Sequence, residues 1–463
     1  MTTLDIQEVD KKLHIGSLPY KFPAYVAWFI TFFIWAAGVI GFIKAISGEL
    51  LVLAWFLTLI AGTMVFPHLT IIIIYLVLAI AAITFVSLLV ILLINKIARE
   101  VLIFILLLVV LSQFALGGIM VYYGISYGVI PIIIGAVLLI IFLMYLNRIK
   151  FTGRLIELSA AAILREKSSL GASFISIILE GLTLIASLLA SPFLGELAYN
   201  YTQDARIGGA VGIIVLFLGF WSVTYLDTVF DAVIVGLTHD WYRSPGVDIA
   251  SFPRALKRAL RVQGGLAVYS FLMSLLRFAT EQAKRKKGIS ARIIASILGI
   301  TEDLVRFLTF YVVPAMVIRQ TNFKNSLKDS IHKLKDLFIE TLVAHFGFGW
   351  ISAIFGFVLV LLYGAVGYLI GAYIFTPIYL VGYNISSTVV GIISAIIYVI
   401  LGIIPAYVIF ESLSVAFNTM LYEFGLDIEF AERGEKLPRN LPPDVEKEFI
   451  EILRSKGIQV SLE

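Results

Sequence analysis

Long apolar runs, separated by short polar joints, fill most of the chain. Nine of them approach or exceed the roughly twenty residues that a helix needs to cross the hydrocarbon core of a bilayer. Two further segments, 264–280 and 291–318, are shorter or more polar, and either cross at a tilt or are re-entrant; we favour two tilted crossings. The pattern predicts an all-α polytopic integral membrane protein, a bundle of about 10–11 transmembrane helices. The nine clear runs lie at 24–46, 50–66, 69–94, 101–123, 128–147, 170–192, 208–235, 340–372 and 386–420.

Polar stretches divide this pattern. The joints at 47–49 and 95–100 predict breaks between successive helices. From Arg148 to Lys167, basic and apolar residues alternate with helical spacing, which predicts an amphipathic helix on the membrane surface. Pro443 can start a short helix that ends near Ser455. The predicted regions are a polar N-terminal segment (1–22), a five-helix membrane region (23–147), a second membrane region (148–426) and a soluble C-terminal tail (427–463).

The basic loops set the predicted orientation, because lysine and arginine favour the cytoplasmic side of a membrane. Four loops are basic, and we place them inside together with the C-terminus. We therefore expect a multi-pass protein of the cell membrane. The loops are 95–100, 148–169, 238–263 and 319–336.

Composition narrows the possible functions. The chain has 463 residues, of which 60% are hydrophobic and only 14% charged, far fewer charges than a soluble protein carries. It contains no cysteine, and its five histidines form no HExxH motif. Neither a phosphate-binding loop nor a nucleophile–base pairing is visible. We expect no enzymatic activity, no metal, no cofactor and no nucleic-acid partner.

Two aspartates interrupt the apolar run at 208–235. Asp227 and Asp231 lie one helical turn apart, on the same face as Phe220. A carboxylate at membrane depth is costly, so this pair indicates a site for a cation or a proton. The alternative is a structural pair near the helix end, neutralised by Arg258 or Arg261.

Aromatic side chains accompany these acids. Phe220, Trp221 and Tyr225 precede Asp227 on the same helix, and aromatic faces attract quaternary ammonium ions. The three rings are therefore candidates, with the two aspartates, for binding an organic cation. The alternative is that they serve helix packing or face lipid.

Two glutamates stand alone within other apolar runs. Glu180 interrupts the run at 170–192, and Glu411 follows Pro405 in the last run. A lone glutamate in such a run has to face the bundle interior or a water-filled cavity. Both are candidates for carrying a proton or coupling a cation; the alternative is a protonated carboxyl in a structural hydrogen bond.

Four patches between about residues 142 and 430 carry a family likeness. They are Arg148-Ile149-Lys150 followed by Leu155-Ile156; Phe220-Trp221 followed by Gly236 and Tyr242; Gly264, Ala267 and Ser270 in a G-x-x-A-x-x-S pattern; and a last span that ends with Phe424 and Asp427. In this order, they resemble the choline transporter-like membrane proteins.

The resemblance implies a secondary transporter of choline or a related amine such as ethanolamine, exchanged for protons. Its partners would be that small organic cation and the membrane lipids. Two other functions stay open: an ion channel, and a membrane scaffold that organises lipid without transport. The sequence does not indicate an oligomeric state.

Overall fold

Thirteen α-helices follow one another in the described part of the chain. The computed structural model describes residues 12–13, 20–60, 69–244, 250–285, 289–375, 386–435 and 437–455, and within these ranges it contains no strand. The all-α prediction is therefore confirmed. The helices are α1 (Phe22–Ile60), α2 (Leu69–Tyr122), α3 (Val129–Met144), α4 (Leu146–Arg165), α5 (Ser168–Thr202), α6 (Ala205–Tyr242), α7 (Phe252–Arg285), α8 (Ile289–Leu308), α9 (Val312–Arg319), α10 (Phe323–Asp336), α11 (Phe338–Leu369), α12 (Ser387–Glu432) and α13 (Pro443–Ser455).

Eight of the described helices are long and apolar enough to cross a membrane: α1, α2, α3, α5, α6, α7, α11 and α12. A polytopic membrane protein is thus confirmed, with fewer crossing helices in the described ranges than the sequence pattern suggests. Part of the difference arises because α1 and α2 continue through the predicted breaks at 47–49 and 95–100. The segment 291–318 also contributes to it, because this segment is too polar to be counted as a crossing helix.

Both predicted breaks, at 47–49 and 95–100, lie inside continuous helices. α1 has 39 residues and α2 has 54, so each helix joins two predicted runs. Both predicted breaks are wrong. At 95–100 the reason is that Asn95 to Glu100 consists mainly of residues that favour helix, and charge alone does not end a helix.

The two uncertain segments differ from each other. The segment 264–280 lies within α7, which extends from Phe252 to Arg285 and can cross a membrane. The segment 291–318 divides into α8 and α9, and neither is among the eight crossing candidates. α8 packs against α7 and carries Glu302, Asp303 and Arg306, which make it too polar.

The predicted surface helix from Arg148 onward exists as α4, but the structure packs it into the protein. Ile149, Phe151 and Ile156 expose 3% or less of their surface. A Cβ added to Gly153 would lie 2.6 Å from the Cα of Arg99, so α4 and α2 approach closely. Protein, rather than lipid, thus covers the apolar side of α4.

The helix predicted from Pro443 to Ser455 is confirmed as α13. Phe449 is fully buried, and its ring centroid lies 5.0 Å from that of Phe424 in α12. The C-terminal helix is therefore part of the folded core.

α6 has neighbours on several sides, because it contacts α1, α4, α5, α7, α9 and α12. Its closest packing is with α5 and α7. Every residue of α6 from Ala232 to Tyr242 is buried. Side chains on α6 are consequently in a position to meet groups from several helices.

Replacing Gly264 by alanine is expected to destabilise the fold, because a Cβ there would lie 1.4 Å from the backbone oxygen of Tyr20. Overpacking of this kind costs about 1–3 kcal/mol. Thermal unfolding of the full chain in detergent measures the effect. Gly299→Ala is the matched control, since nothing lies within 4 Å of its added Cβ. Equal midpoints for Gly264→Ala and the wild type would contradict the close approach.

Candidate functional site

Four carboxylates from three helices meet between α5, α6 and α12. Oxygens of Glu180, Asp227 and Glu411 all lie within 4.8 Å of one another. Asp231 adds a fourth carboxylate within electrostatic range of Asp227 and Glu180. We call these four residues the carboxylate cluster. The sequence singles out each acid separately, and the fold brings them together.

The position of each acid on its helix is set by neighbouring residues of the same helix. The helical repeat places Asp227 and Asp231 on one face of α6. On α5, Ser176 lies one turn before Glu180 and donates a hydrogen bond of 2.6 Å to its carboxylate. Glu411 follows Pro405, which lies inside α12.

The cluster holds at least one proton when Asp227 and Glu411 are hydrogen-bonded to each other. Two ionised carboxylates can only accept hydrogen bonds, so one member of this pair has to donate. Asp227 and Glu411 can form such a pair when one of the two is protonated. Such a pair can exchange that proton for another cation.

Two oxygens of the cluster lack a hydrogen-bond partner within the described residues. They are Oδ1 of Asp231 and Oε2 of Glu411, and both are buried. Buried polar atoms in folded proteins are nearly always satisfied by protein, water or ligand. These oxygens are thus free to bind a cation or a proton. A hard metal ion also favours such oxygen ligands.

The three predicted aromatic residues divide into two groups. Phe220 lies on the cluster face of α6 and carries the guanidinium of Arg277 over its ring, 5.5 Å from the centroid. Trp221 donates from Nε1 to the hydroxyl of Ser270 in α7 at 3.1 Å. The ring of Tyr225 packs edge-on against Trp28 of α1, with centroids 5.5 Å apart.

Trp221 and Tyr225 are therefore used in helix packing and are not brought into the cluster. The reason is the helical repeat, which places residue 221 about 120° away from residue 227 around the axis. Two aromatic residues that the sequence reasoning missed lie nearer to the acids. Tyr407 precedes Glu411 by one turn and is within electrostatic range of all four carboxylates. Tyr269 of α7 is within range of Asp227 and Asp231.

A second polar network joins α6 and α12 near their C-terminal ends. Arg243 is completely buried and donates from Nε to Glu423 at 2.8 Å and from Nη1 to Asp427 at 2.5 Å. The hydroxyl of Tyr242 also donates to Asp427, at 2.8 Å, and Nδ1 of His239 hydrogen-bonds to Glu423. We call this group the Arg243 network.

Charge keeps the Arg243 network together. Burial lowers the pKa of Arg243, but the negative charges of Asp427 and Glu423 outweigh it and raise that pKa above its usual value. Arg243 is thus a permanent cation between two carboxylates. Sequence reasoning missed this pairing, because Arg243 and Glu423 are 180 residues apart.

If Asp227 and Asp231 were a structural pair, Arg258 or Arg261 would be expected to neutralise them. Arg258 instead forms an ion pair with Asp240, at 3.1 Å. Asp240 lies nine residues beyond Asp231 on α6, toward the Arg243 network. The ion pair therefore belongs to that end of the helix.

α6 and α12 contribute to both the carboxylate cluster and the Arg243 network. Asp231 and Arg243 are twelve residues apart in sequence, as are Glu411 and Glu423. At the helical rise of 1.5 Å per residue, each separation corresponds to about 18 Å. The α6–α12 pair thus presents two polar levels, one above the other.

Comparison with known proteins decides the family. The family model described as plasma-membrane choline transporter matches residues 129–429. The chain belongs to the plasma-membrane choline transporter family. This result confirms the resemblance carried by the four sequence patches. A CTL-like protein of Dictyostelium discoideum is 23% identical over 280 residues, which cover 56% of this chain and 50% of that protein.

The choline transporter family region contains both polar levels. It includes every helix from α3 to α11 and all but the last three residues of α12, and thus all members of the cluster and of the Arg243 network. The region before α3, which includes α1 and α2, lies outside the match.

Proposed function

We propose that this protein is a secondary transporter of a small organic cation, choline or a related amine such as ethanolamine, coupled to protons. The observation that carries the proposal is the carboxylate cluster in helices able to cross a membrane. The family match supports the class of substrate. The Dictyostelium relative is matched over only half its length, and its name does not state a substrate.

The chemistry of the cluster suits exchange of a cation for protons. Like charges this close oppose one another, so a proton or a bound cation lowers the free energy of the ionised cluster. A quaternary ammonium cannot donate a hydrogen bond, and its attraction to the site comes from negative charge and aromatic faces. The rings of Phe220, Tyr269 and Tyr407 can supply these aromatic faces. Loss of a shared proton to the solvent would accompany binding.

Burial around α6 favours a carrier over a channel. A channel needs a continuous polar path, whereas every residue of α6 from Ala232 to Tyr242 is buried. The Arg243 network closes the same region. In a carrier, one closed end and a site open to the other side correspond to one half of an alternating-access cycle.

We further propose that the Arg243 end faces the cytoplasm. The basic loops 238–263 and 319–336 lie at this end of α6 and α12, and positive charge favours the inner side. The C-terminal helix α13 then also lies in the cytoplasm, since it packs on Phe424.

Uptake by proteoliposomes tests the proposal. We expect the wild-type protein to take up labelled choline in a saturable way, at a rate that changes when a pH gradient is imposed. Asp227→Asn should reduce uptake on the order of a hundredfold, since losing one partner of a buried charge interaction costs about 2–5 kcal/mol. Glu432→Gln is the control, because Glu432 is exposed at the end of α12.

The outcomes separate the remaining functions. Currents far above carrier turnover, carried by inorganic cations, would support a channel. If the folded wild-type protein moved neither choline nor ethanolamine, the transport proposal would be wrong and a scaffold role would gain support.

A further inference from the structure

An arginine lies on the side of the carboxylate cluster that is nearer the Ala205 end of α6. Arg277, on α7, places its guanidinium 5.5 Å from the centroid of the Phe220 ring. Its side chain is exposed. A cation over an aromatic face is also the geometry by which proteins hold a quaternary ammonium. Arg277 thus makes, within the protein itself, the kind of contact that the proposed substrate would need.

The position of Phe220 connects this contact to the cluster. Phe220 and Asp227 are seven residues apart and therefore lie on the same face of α6, about 10 Å apart along the axis. Arg277 is within electrostatic range of Asp227. The guanidinium consequently shares both the aromatic face and the electric field that would attract an organic cation.

A second negatively charged group lies within reach of the Arg277 guanidinium. Glu281 lies one turn beyond Arg277 on α7. Lys284 pairs with its carboxylate at 2.9 Å, and the charge of Arg277 adds a weaker attraction. Residues at this spacing are neighbours on a helix surface. A change of side-chain rotamer would bring Arg277 from Phe220 toward Glu281 without a backbone shift, because the arginine stem is long.

We infer that Arg277 is a tethered cation that occupies the Phe220 ring when the site is empty and that an organic cation has to displace it. This inference rests on the proposed transport function and adds to it a residue that sets the affinity for the substrate. Arg277 competes with the substrate for Phe220 and for the negative potential of the cluster. It thereby weakens the binding of every cation that has to displace it, by a similar factor.

The test is transport of choline by Arg277→Gln, measured in proteoliposomes at low salt, with choline-dependent thermal stabilisation in detergent as a second readout. A unit charge about 10 Å away changes the affinity for a cation by about threefold to tenfold. We expect KM and the half-stabilising choline concentration to fall by this factor. The difference should shrink in high salt, which screens an exposed charge. Arg285→Gln is the control, because Arg285 is also exposed on α7 but lies two turns farther on.

Two further variants distinguish competition from a structural role. Arg277→Lys retains the charge but loses the planar group that stacks on a ring, so its KM should lie between those of the wild type and Arg277→Gln. Phe220→Leu should raise KM more strongly in the Arg277→Gln protein than in the wild type. In the wild type the ring stabilises both competitors, whereas in the variant it stabilises only choline.

The results that overturn the inference differ from those that overturn the proposed function. An unchanged or raised KM in Arg277→Gln, with wild-type uptake intact, would refute the tethered cation alone. Equal effects of Phe220→Leu in the two backgrounds would also refute it. Absence of uptake and of choline-dependent stabilisation in the wild type would refute the proposed function and the inference together.

Discussion

Asparagine in place of Asp231 is expected to make the protein more stable and the transporter inactive. Asp231 stands within electrostatic range of two other carboxylates, and its buried Oδ1 lacks a hydrogen-bond partner within the described residues. An amide of the same shape removes one negative charge and the repulsion that accompanies it. Relieving such an arrangement typically stabilises a protein by about 0.5–2 kcal/mol.

The same substitution removes part of the charge that would bind a cation. We expect choline uptake by Asp231→Asn to fall by a factor on the order of a hundred, from a loss of about 2–5 kcal/mol in charge interaction. Unfolding midpoints in detergent and uptake in proteoliposomes, measured on the same preparation, give both effects. Asp303→Asn is the matched control, because Asp303 is an exposed aspartate on α8.

The opposite signs of the two effects make this prediction decisive. If Asp231 served only to hold the fold together, its replacement would lower the unfolding midpoint. A less stable Asp231→Asn protein with normal uptake would therefore exclude the carboxylate cluster as the transport site.

Replacing Arg243 by leucine is expected to be the most destabilising of these changes. The substitution leaves Glu423 and Asp427 buried without the cation that holds them, and breaking a buried ion pair in this way costs about 3–5 kcal/mol. That amount is a large part of the total stability of many proteins. Thermal unfolding of the full chain in detergent should show a large fall in the midpoint.

A rescue experiment tests the electrostatic cause. Adding Glu423→Gln and Asp427→Asn to Arg243→Leu removes the two negative charges that have lost Arg243 and should recover part of the lost stability. Arg433→Leu is the control, because Arg433 pairs with Glu429 at the surface, where such a pair contributes at most about 1 kcal/mol. An Arg243→Leu protein as stable as this control would show that the network is not a major source of stability.

Local patterns in the sequence were sufficient for the fold class and for the individual acids. An acidic residue in an apolar run is conspicuous, so Glu180, Asp227, Asp231 and Glu411 can all be picked out without a structure. Their approach to one another depends on how α5, α6 and α12 pack. No periodicity in one segment contains that information.

Other features of the structure could not be predicted from the sequence, for physical reasons. Trp221 and Tyr225 are near Asp227 in sequence, but the helical repeat turns them toward α7 and α1. The joint at 95–100 looks like a loop because it is polar, whereas helix formation depends on backbone propensity, and α2 continues through it. The Arg243 network consists of residues that are ordinary in their own segments and distinctive only as partners.

The sharing of α6 and α12 by both polar levels has a thermodynamic consequence. If binding of a cation at the carboxylate cluster changes the free energy of the Arg243 network, then the network changes the affinity of the cluster by the same factor. The two helices would transmit this coupling without a separate signalling element. A substitution about 18 Å from the substrate can therefore alter the dissociation constant while leaving every group that touches the substrate in place.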